Sequence, residues 1–420
     1  MIRRKTARAA RAAVVTGMGV IAPNGSGTEA FWKALLAGVP VLDRISREGC
    51  TDLPLRIAGE VRGFDPAGLI ESRYLVQTDR FTHFAMAAAG LALEDAGLRA
   101  DPENPYAIGV VTAAGSGGGE FGQGELQRLW GEGPQFVGPY QSIAWFYAAS
   151  TGQLSISGGF RGPCGVLVND EAGGLDVFAH ASRAIRQGTD AVLTGATEAP
   201  LAPYSMVCQL GYPELSLAED PERAYLPFTE DACGFSPAEG GAMFTVEEEQ
   251  SARDRGAQIR AVVAGHAATF TGSGDWGRSR EGLARAVQGA LAEAGCSADE
   301  VDVVFADALG VPDADEAEAL AIGDALGKHA ADVPVTAPKT GFGRAYSAAS
   351  ALDVAAAVLA LEHGVIPPTP NLAGARRDLG LDLVTGGPRS SPMRTALVLS
   401  RGLMGHNSAL VLRREGGYRL

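Results

Sequence analysis

Residues 167–176 read LVNDEAGGLD. The apolar run Val166, Leu167 and Val168 has the character of a strand end, and Ala172, Gly173 and Gly174 open what reads as a helix. Several acyl-transfer enzymes present a nucleophile at such a strand-to-helix elbow, because the sharp turn exposes one side chain beside the free N–H groups of the helix start. Here the residue at the tip is Glu171, where a cysteine or serine would be expected.

Strand and helix signals alternate outward from this point. Ala13–Thr16, Ile108–Thr112, Gly165–Val168 and Ala191–Thr194 predict buried strands, with Ala-rich helices such as Thr82–Ala96 and Leu175–Arg186 between them. Alternating βα units imply an α/β protein with a mostly parallel sheet covered by helices. The chain also echoes itself. GGLDVFAHASRAIRQG (173–188) resembles SALDVAAAVLALEHG (350–364), AVVTG (13–17) recurs as AVVAG (261–265), and IGVVTAAGSGG (108–118) has a counterpart in DVVFADALGVP (302–312). A period of roughly 200 residues is too long for a solenoid and points to a duplicated half-domain. The seam is placed near residue 262, giving halves over 1–262 and 263–420. Corresponding loops then meet, so the regions of residues 171, 307 and 344 are expected to be neighbours.

Composition bounds the function. The 420 residues are 46% hydrophobic and 20% charged with 56 glycines, which suits a packed α/β protein with many tight turns. A net charge of −14 argues against nucleic acid and against an anionic membrane surface, since both need clustered Lys and Arg. The one basic run, Arg3, Arg4, Lys5, Arg8 and Arg11, passes at once into AVVTGMGV, with no apolar export or membrane-spanning segment, so a cytoplasmic location is expected. The five cysteines (Cys50, Cys164, Cys208, Cys233, Cys296) are odd in number and far apart, and the six histidines form no His-x-x-x-His pair, so neither a disulfide framework, a metal site nor a cofactor is expected. GMGVIA (17–22) satisfies a dinucleotide-binding pattern, but Pro23, Asn24 and Gly25 follow where the phosphate-binding helix should continue.

Several separated stretches carry a family resemblance. TGMGVIAPNG (16–25), PFTEDACGFSPAEGGAM (227–243), APKTGFG (337–343) and GHNSALVLRR (405–414) resemble the signature stretches of β-ketoacyl synthases, over nearly the whole chain. Within that family, FGQGELQRLW, QSIAWFYAASTGQLSI, VNDEAGGLD and GRAYSAASALD are most similar to the chain length factors, the partner subunits of ketosynthases in bacterial type II polyketide synthases. The resemblance implies a thiolase fold, with duplicated βαβαβαββ halves in a five-layered αβαβα arrangement. It places the family's acylated cysteine on Glu171, the first catalytic histidine on Asp307 and the second on Arg344, and retains only the family's lysine, Lys339. Chain length factors commonly carry glutamine at the elbow, from which Glu171 departs.

Decarboxylative condensation needs a thiolate to hold the growing chain and donors that stabilise an enolate. A carboxylate at the elbow offers neither, so no catalytic residue is expected and the chain alone should not condense. A buried Glu171 must gain a cationic partner or be protonated. Glu171, Asp307, Lys339 and Arg344 sum to zero charge, and they are expected to form a structural polar cluster with Asp307–Arg344 as its ion pair. Cys164, the thiol nearest the elbow, precedes the strand and is read as a small buried hydrophobe, and Phe178, His180, His266 and His406 are read as structural.

Gly119, Gly122 and Leu126 are spaced i, i+3, i+7 and share one face if their segment is helical. By resemblance this face lines a polyketide tunnel at the subunit interface, and two glycines there imply a roomy passage. Phe136, Tyr140, Trp145, Phe146 and Tyr147 concentrate aromatics in a chain that is only 7% aromatic, and the resemblance makes them an interface with a ketosynthase subunit that continues into the following strand. The implied function is that of a non-condensing partner that controls the length of an acyl-carrier-protein-bound chain by shape. Two rivals are a malonyl-thioester decarboxylase that supplies an acetyl primer and an independent condensing homodimer, against which the missing thiol stands.

Overall fold

The computed structural model describes residues 11–272, 274, 277–372 and 374–416. Arg3, Arg4, Lys5 and Arg8 of the basic run lie outside the described residues. Ten strands carry the fold: β1 (Ala13–Ala22), β2 (Ile108–Ala113), β3 (Cys164–Leu167), β4 (Ala191–Glu198), β5 (Gly240–Glu248), β6 (Ala261–Phe270), β7 (Val303–Phe305), β8 (Pro334–Thr336), β9 (Thr395–Arg401) and β10 (His406–Arg413). They belong to one twelve-stranded sheet in the order β3-β2-β4-β5-β1-β6-β10-β9-β7-β8.

That order is two copies of one pattern. In the first five strands, the first pairs antiparallel with the fifth, the fifth antiparallel with the fourth, and the fourth, second and third follow in parallel. β6 to β10 repeat every one of these pairings. The copies join back to back through a short antiparallel contact, Val14 opposite Val262 and Val15 opposite Ala261.

The strands are apolar on both faces because helices cover both faces. α1 (Arg80–Ala96), α2 (Gly119–Gly131), α3 (Ala149–Gly158), α4 (Gly173–Gln187), α5 (Arg280–Ala294), α6 (Pro312–Leu326) and α7 (Tyr346–His363) are the long helices that position the site. α4 and α7 pack on each other between the two sheet halves, α1 and α3 cover the outer face of the first half, and α5 covers that of the second with α6 packed beside it. The result is the five-layered αβαβα thiolase arrangement. α7 is buried continuously from Ser347 to Leu361, which is why its sequence is apolar all round rather than on one stripe.

As Pro23, Asn24 and Gly25 implied, GMGVIA is not directly followed by a helix; β1 runs on to Ala22 and turns into a two-residue strand, Gly25–Ser26, that pairs back on it. Its glycines serve close packing, since a Cβ at Gly17 or Gly19 would collide with the Ala92 or Ala88 carbonyl of α1. β3, read as a buried strand, is the edge of the sheet: Cys164 is exposed and Gly165, Val166 and Leu167 are only partly covered. Cys164 is the strand's first residue and an exposed one, at the end away from the elbow. An apolar run looks the same at a sheet's edge as at its centre.

Gly19→Ala is expected to lower unfolding stability by about 1–3 kcal/mol in urea titration, the usual cost of overpacking. Gly124→Ala, whose Cβ would meet nothing within 4 Å in α2, should instead gain up to about 1 kcal/mol from helix propensity.

Candidate functional site: a closed elbow beside an open cavity

The elbow is built by three residues after β3. Asp170 takes φ 49, a left-handed value that a short polar side chain tolerates. Its carboxylate accepts the Met404 N–H (3.1 Å) and lies 3.0 Å from His406 Nδ1. Glu171 then turns inward and is only 4% exposed. Its Oε2 accepts the Leu403 N–H (3.2 Å), and its backbone carbonyl accepts hydroxyl hydrogen bonds from Ser350 (2.7 Å) and Ser400 (3.1 Å). Gly174 lets α4 cross α7, because a Cβ there would strike the Ser347 carbonyl. Burial pushes the Glu171 carboxyl up to about 7, with the Arg344 guanidinium pulling the other way.

The regions of residues 171, 307 and 344 meet as the internal echo implied. Arg344 Nη1 lies 2.9 Å from Asp307 Oδ1, and both residues are essentially without solvent exposure. The network is wider than the four residues expected. Arg401 holds the other oxygen of Asp307 through Nε (3.1 Å) and donates its backbone N–H to Oδ1 (3.0 Å), while its Nη2 reaches Glu318 Oε2 (2.9 Å). Glu318 also accepts the N–H groups of Asp307 (2.7 Å) and Ala308 (2.9 Å). Lys339 does not join the Asp307–Arg344 pair directly; its Nζ lies 2.5 Å from Asp353 Oδ2 on α7. Burial alone would raise the Asp307 carboxyl, but Arg344, Arg401 and Lys339 outweigh it and hold the group down to about 2.

Arg401, Glu318 and Asp353 were not singled out from sequence. The available signal was an arginine closing the apolar strand TALVLSR, since a fully buried arginine requires partners. His266 and His406, for which no carboxylate partner was identifiable, each have one: His266 Nε2 lies 2.9 Å from Asp176 Oδ1, and His406 faces Asp170. Phe178 is fully buried against Phe244, and His180 is half-buried on α4.

A cavity of about 450 Å³ opens beside the elbow, lined by Gly119, Gly122 and Leu126 of α2 with Ser116, Trp145 and Tyr346 among the facing residues. The two glycines differ. A Cβ on Gly119 would collide with Ser205 Oγ, whereas one on Gly122 would lie 3.6 Å from Trp145 Cβ, an ordinary contact. Close packing therefore accounts for Gly119 but not for Gly122, which leaves the cavity open. On the same side Phe136 (51%), Tyr140 (37%), Trp145 (49%) and Phe146 (50%) are exposed, and Tyr147 is partly covered.

The model of the β-ketoacyl synthase N-terminal domain matches residues 10–252, and that of the C-terminal domain matches residues 260–373. This chain belongs to the β-ketoacyl synthase family. It is 70% identical to a protein of Streptomyces coelicolor named as a polyketide β-ketoacyl synthase 2, over 98% of this chain and 97% of that one. Among solved structures it resembles the ishigamide ketosynthase/chain length factor, with TM-score 0.90 at 28% identity over 97% of this chain and 100% of that one. It also resembles a structure described as a type II polyketide synthase acyl-carrier protein in complex with its ketosynthase bound to the hexaketide, with TM-score 0.85 at 28% identity over 96% of this chain and 99% of that one.

As a β-ketoacyl synthase the chain presents no thiol or hydroxyl at the elbow tip. The Leu403 N–H, which faces the elbow tip, is taken by the Glu171 carboxylate itself. Among the described residues no group of three or more His, Cys, Asp or Glu is arranged to hold a metal ion, and no helix is long and apolar enough to cross a membrane.

Arg344→Ala should cost about 3 kcal/mol in chemical unfolding, the low end for breaking a buried pair, because Arg401 still holds Asp307. Asp307→Ala strands Arg344 and leaves Arg401 with Glu318 as its carboxylate partner, and should cost more, about 5 kcal/mol; the reverse order would contradict the network. Glu171 titrates near 4.5 when unfolded and near 7 when folded. Between those values the folded chain holds the extra proton, so stability falls as pH rises. Glu171→Gln removes this dependence, and its advantage over the parent should grow by about 3 kcal/mol from pH 4.5 to pH 7.

Proposed function

We propose that this chain is a non-condensing chain length factor of a type II polyketide synthase. It pairs with a ketosynthase and shapes the tunnel in which an acyl-carrier-protein-bound chain is built. The observation that carries this reading is the contrast between the two neighbouring spaces: the elbow pocket is filled and hydrogen-bonded to itself, while the cavity along Gly122 and Leu126 is open. A closed elbow cannot hold an acyl chain, and an open cavity can measure one.

The partner contact is proposed on β3 and the aromatics before it. An edge strand with unpaired backbone groups invites another strand, and half-exposed aromatic side chains beside it are the composition of an interface core. We take residues 1–262 and 263–420 as the duplicated halves, with the tunnel and interface insertions in the first. The malonyl-decarboxylating alternative needs a free oxyanion donor at the elbow, and the Leu403 N–H is occupied.

Gly122→Phe places a ring in the cavity without a backbone clash, so the heterodimer carrying it should release shorter chains by mass spectrometry. An unchanged product length would contradict the tunnel assignment. The isolated chain should leave malonyl-carrier protein intact over hours, and turnover would favour the decarboxylase.

A further inference from the structure

The first turn of α7 stands between the open cavity and the closed elbow. Tyr346 begins that helix with φ 41, a left-handed value that a bulky side chain adopts only where its surroundings hold it. The surroundings are specific. Ser347 Oγ donates to Glu198 Oε1 (2.6 Å), and the same buried carboxylate accepts the N–H groups of Gly115 (2.5 Å) and Ser116 (3.0 Å) and the Ser116 hydroxyl (2.6 Å). Glu198 thereby ties α7 to the loop that leads into α2. Gly115 on that loop leaves room for the ring, since a Cβ there would lie 3.3 Å from Tyr346 Cδ1.

Tyr346 faces the cavity on one side. One turn along the same helix, Ser350 holds the Glu171 carbonyl, and two residues upstream Arg344 holds Asp307. Burial, with the neighbouring Tyr212 and Glu171, keeps the phenol proton on well above the usual range, so the ring meets the cavity as a neutral group.

We propose that Tyr346 is the partition that ends the chain-length cavity and separates it from the Glu171 pocket, which makes it a specificity-determining residue for product length. This rests on the chain-length reading above. A growing chain that reaches the ring is turned away from the former catalytic space. Truncating the ring adds the ring's own volume to the end of the cavity, and enlarging it moves the wall toward the incoming chain. Glu198 acts on length only by holding Tyr346 and is a positioning residue.

The test uses the full heterodimer with its ketosynthase and carrier protein, with assembly checked by size-exclusion chromatography and chain length read by mass spectrometry. Y346A should lengthen the product by about one two-carbon unit or more, Y346F should leave it unchanged, and Y346W should shorten it. G122F is run beside them. If assembled Y346A keeps the parental length while G122F shortens it, the partition is wrong and the tunnel reading stands; if G122F is also without effect, both are wrong. Should Y346A fail to assemble, Y346W decides, and a parental length there overturns the proposal.

Discussion

A carboxylate with no solvent exposure, Asp307, is gripped by Arg344 on one oxygen and Arg401 on the other. The three residues come from the loop after β7, the approach to α7 and the end of β9, so their mutual attraction fixes where α7 starts. Isolated charges could not be buried there, because removing even one ion from water costs several kcal/mol. Each charge is therefore met twice over: Arg344 also donates to the Asp307 and Arg401 carbonyls, and Arg401 to Glu318 and to the carbonyls of Gly277 and Ala314. With α7 placed, Ser350 closes on the elbow, Ser347 reaches Glu198, and Tyr346 faces the cavity.

The same network explains why a condensing centre cannot persist at this elbow. Imidazoles that stabilise an enolate must be free to donate toward a substrate, whereas an aspartate and an arginine in contact spend their hydrogen bonds on each other. Glu171 completes the closure from the other side by occupying the Leu403 N–H. The fold keeps the elbow as architecture, because α4 and α7 must still cross through Gly174, but it no longer offers a reactive atom. What remains open is the space along α2.

Much of this was legible in sequence for a physical reason. The apolar runs of β1 and α7 report burial on all sides, and the repeated AVV and ALDV stretches report duplication, so the meeting of residues 171, 307 and 344 followed; the five layers came with the family resemblance, and the sheet, expected mostly parallel, is mixed. The Asp307–Arg344 pair followed from residue types and the family resemblance together. Arg401 did not, because an arginine at a strand end is as often exposed, and neither did Asp353, whose partner Lys339 lies on another element. The edge position of β3 was hidden because hydrophobicity does not encode neighbours. The difference between Gly119 and Gly122 was hidden for a similar reason: a Cβ on one would collide with Ser205, and on the other it would make only an ordinary contact with Trp145.

The central claim is that this chain contributes shape and no covalent chemistry. Intact-protein mass spectrometry of the heterodimer, quenched during chain extension from malonyl-carrier protein, tests it directly. All acyl mass should be found on the ketosynthase subunit and the carrier protein, with this chain at its unmodified mass throughout. An acyl adduct on this chain that rises and falls with turnover would contradict the account.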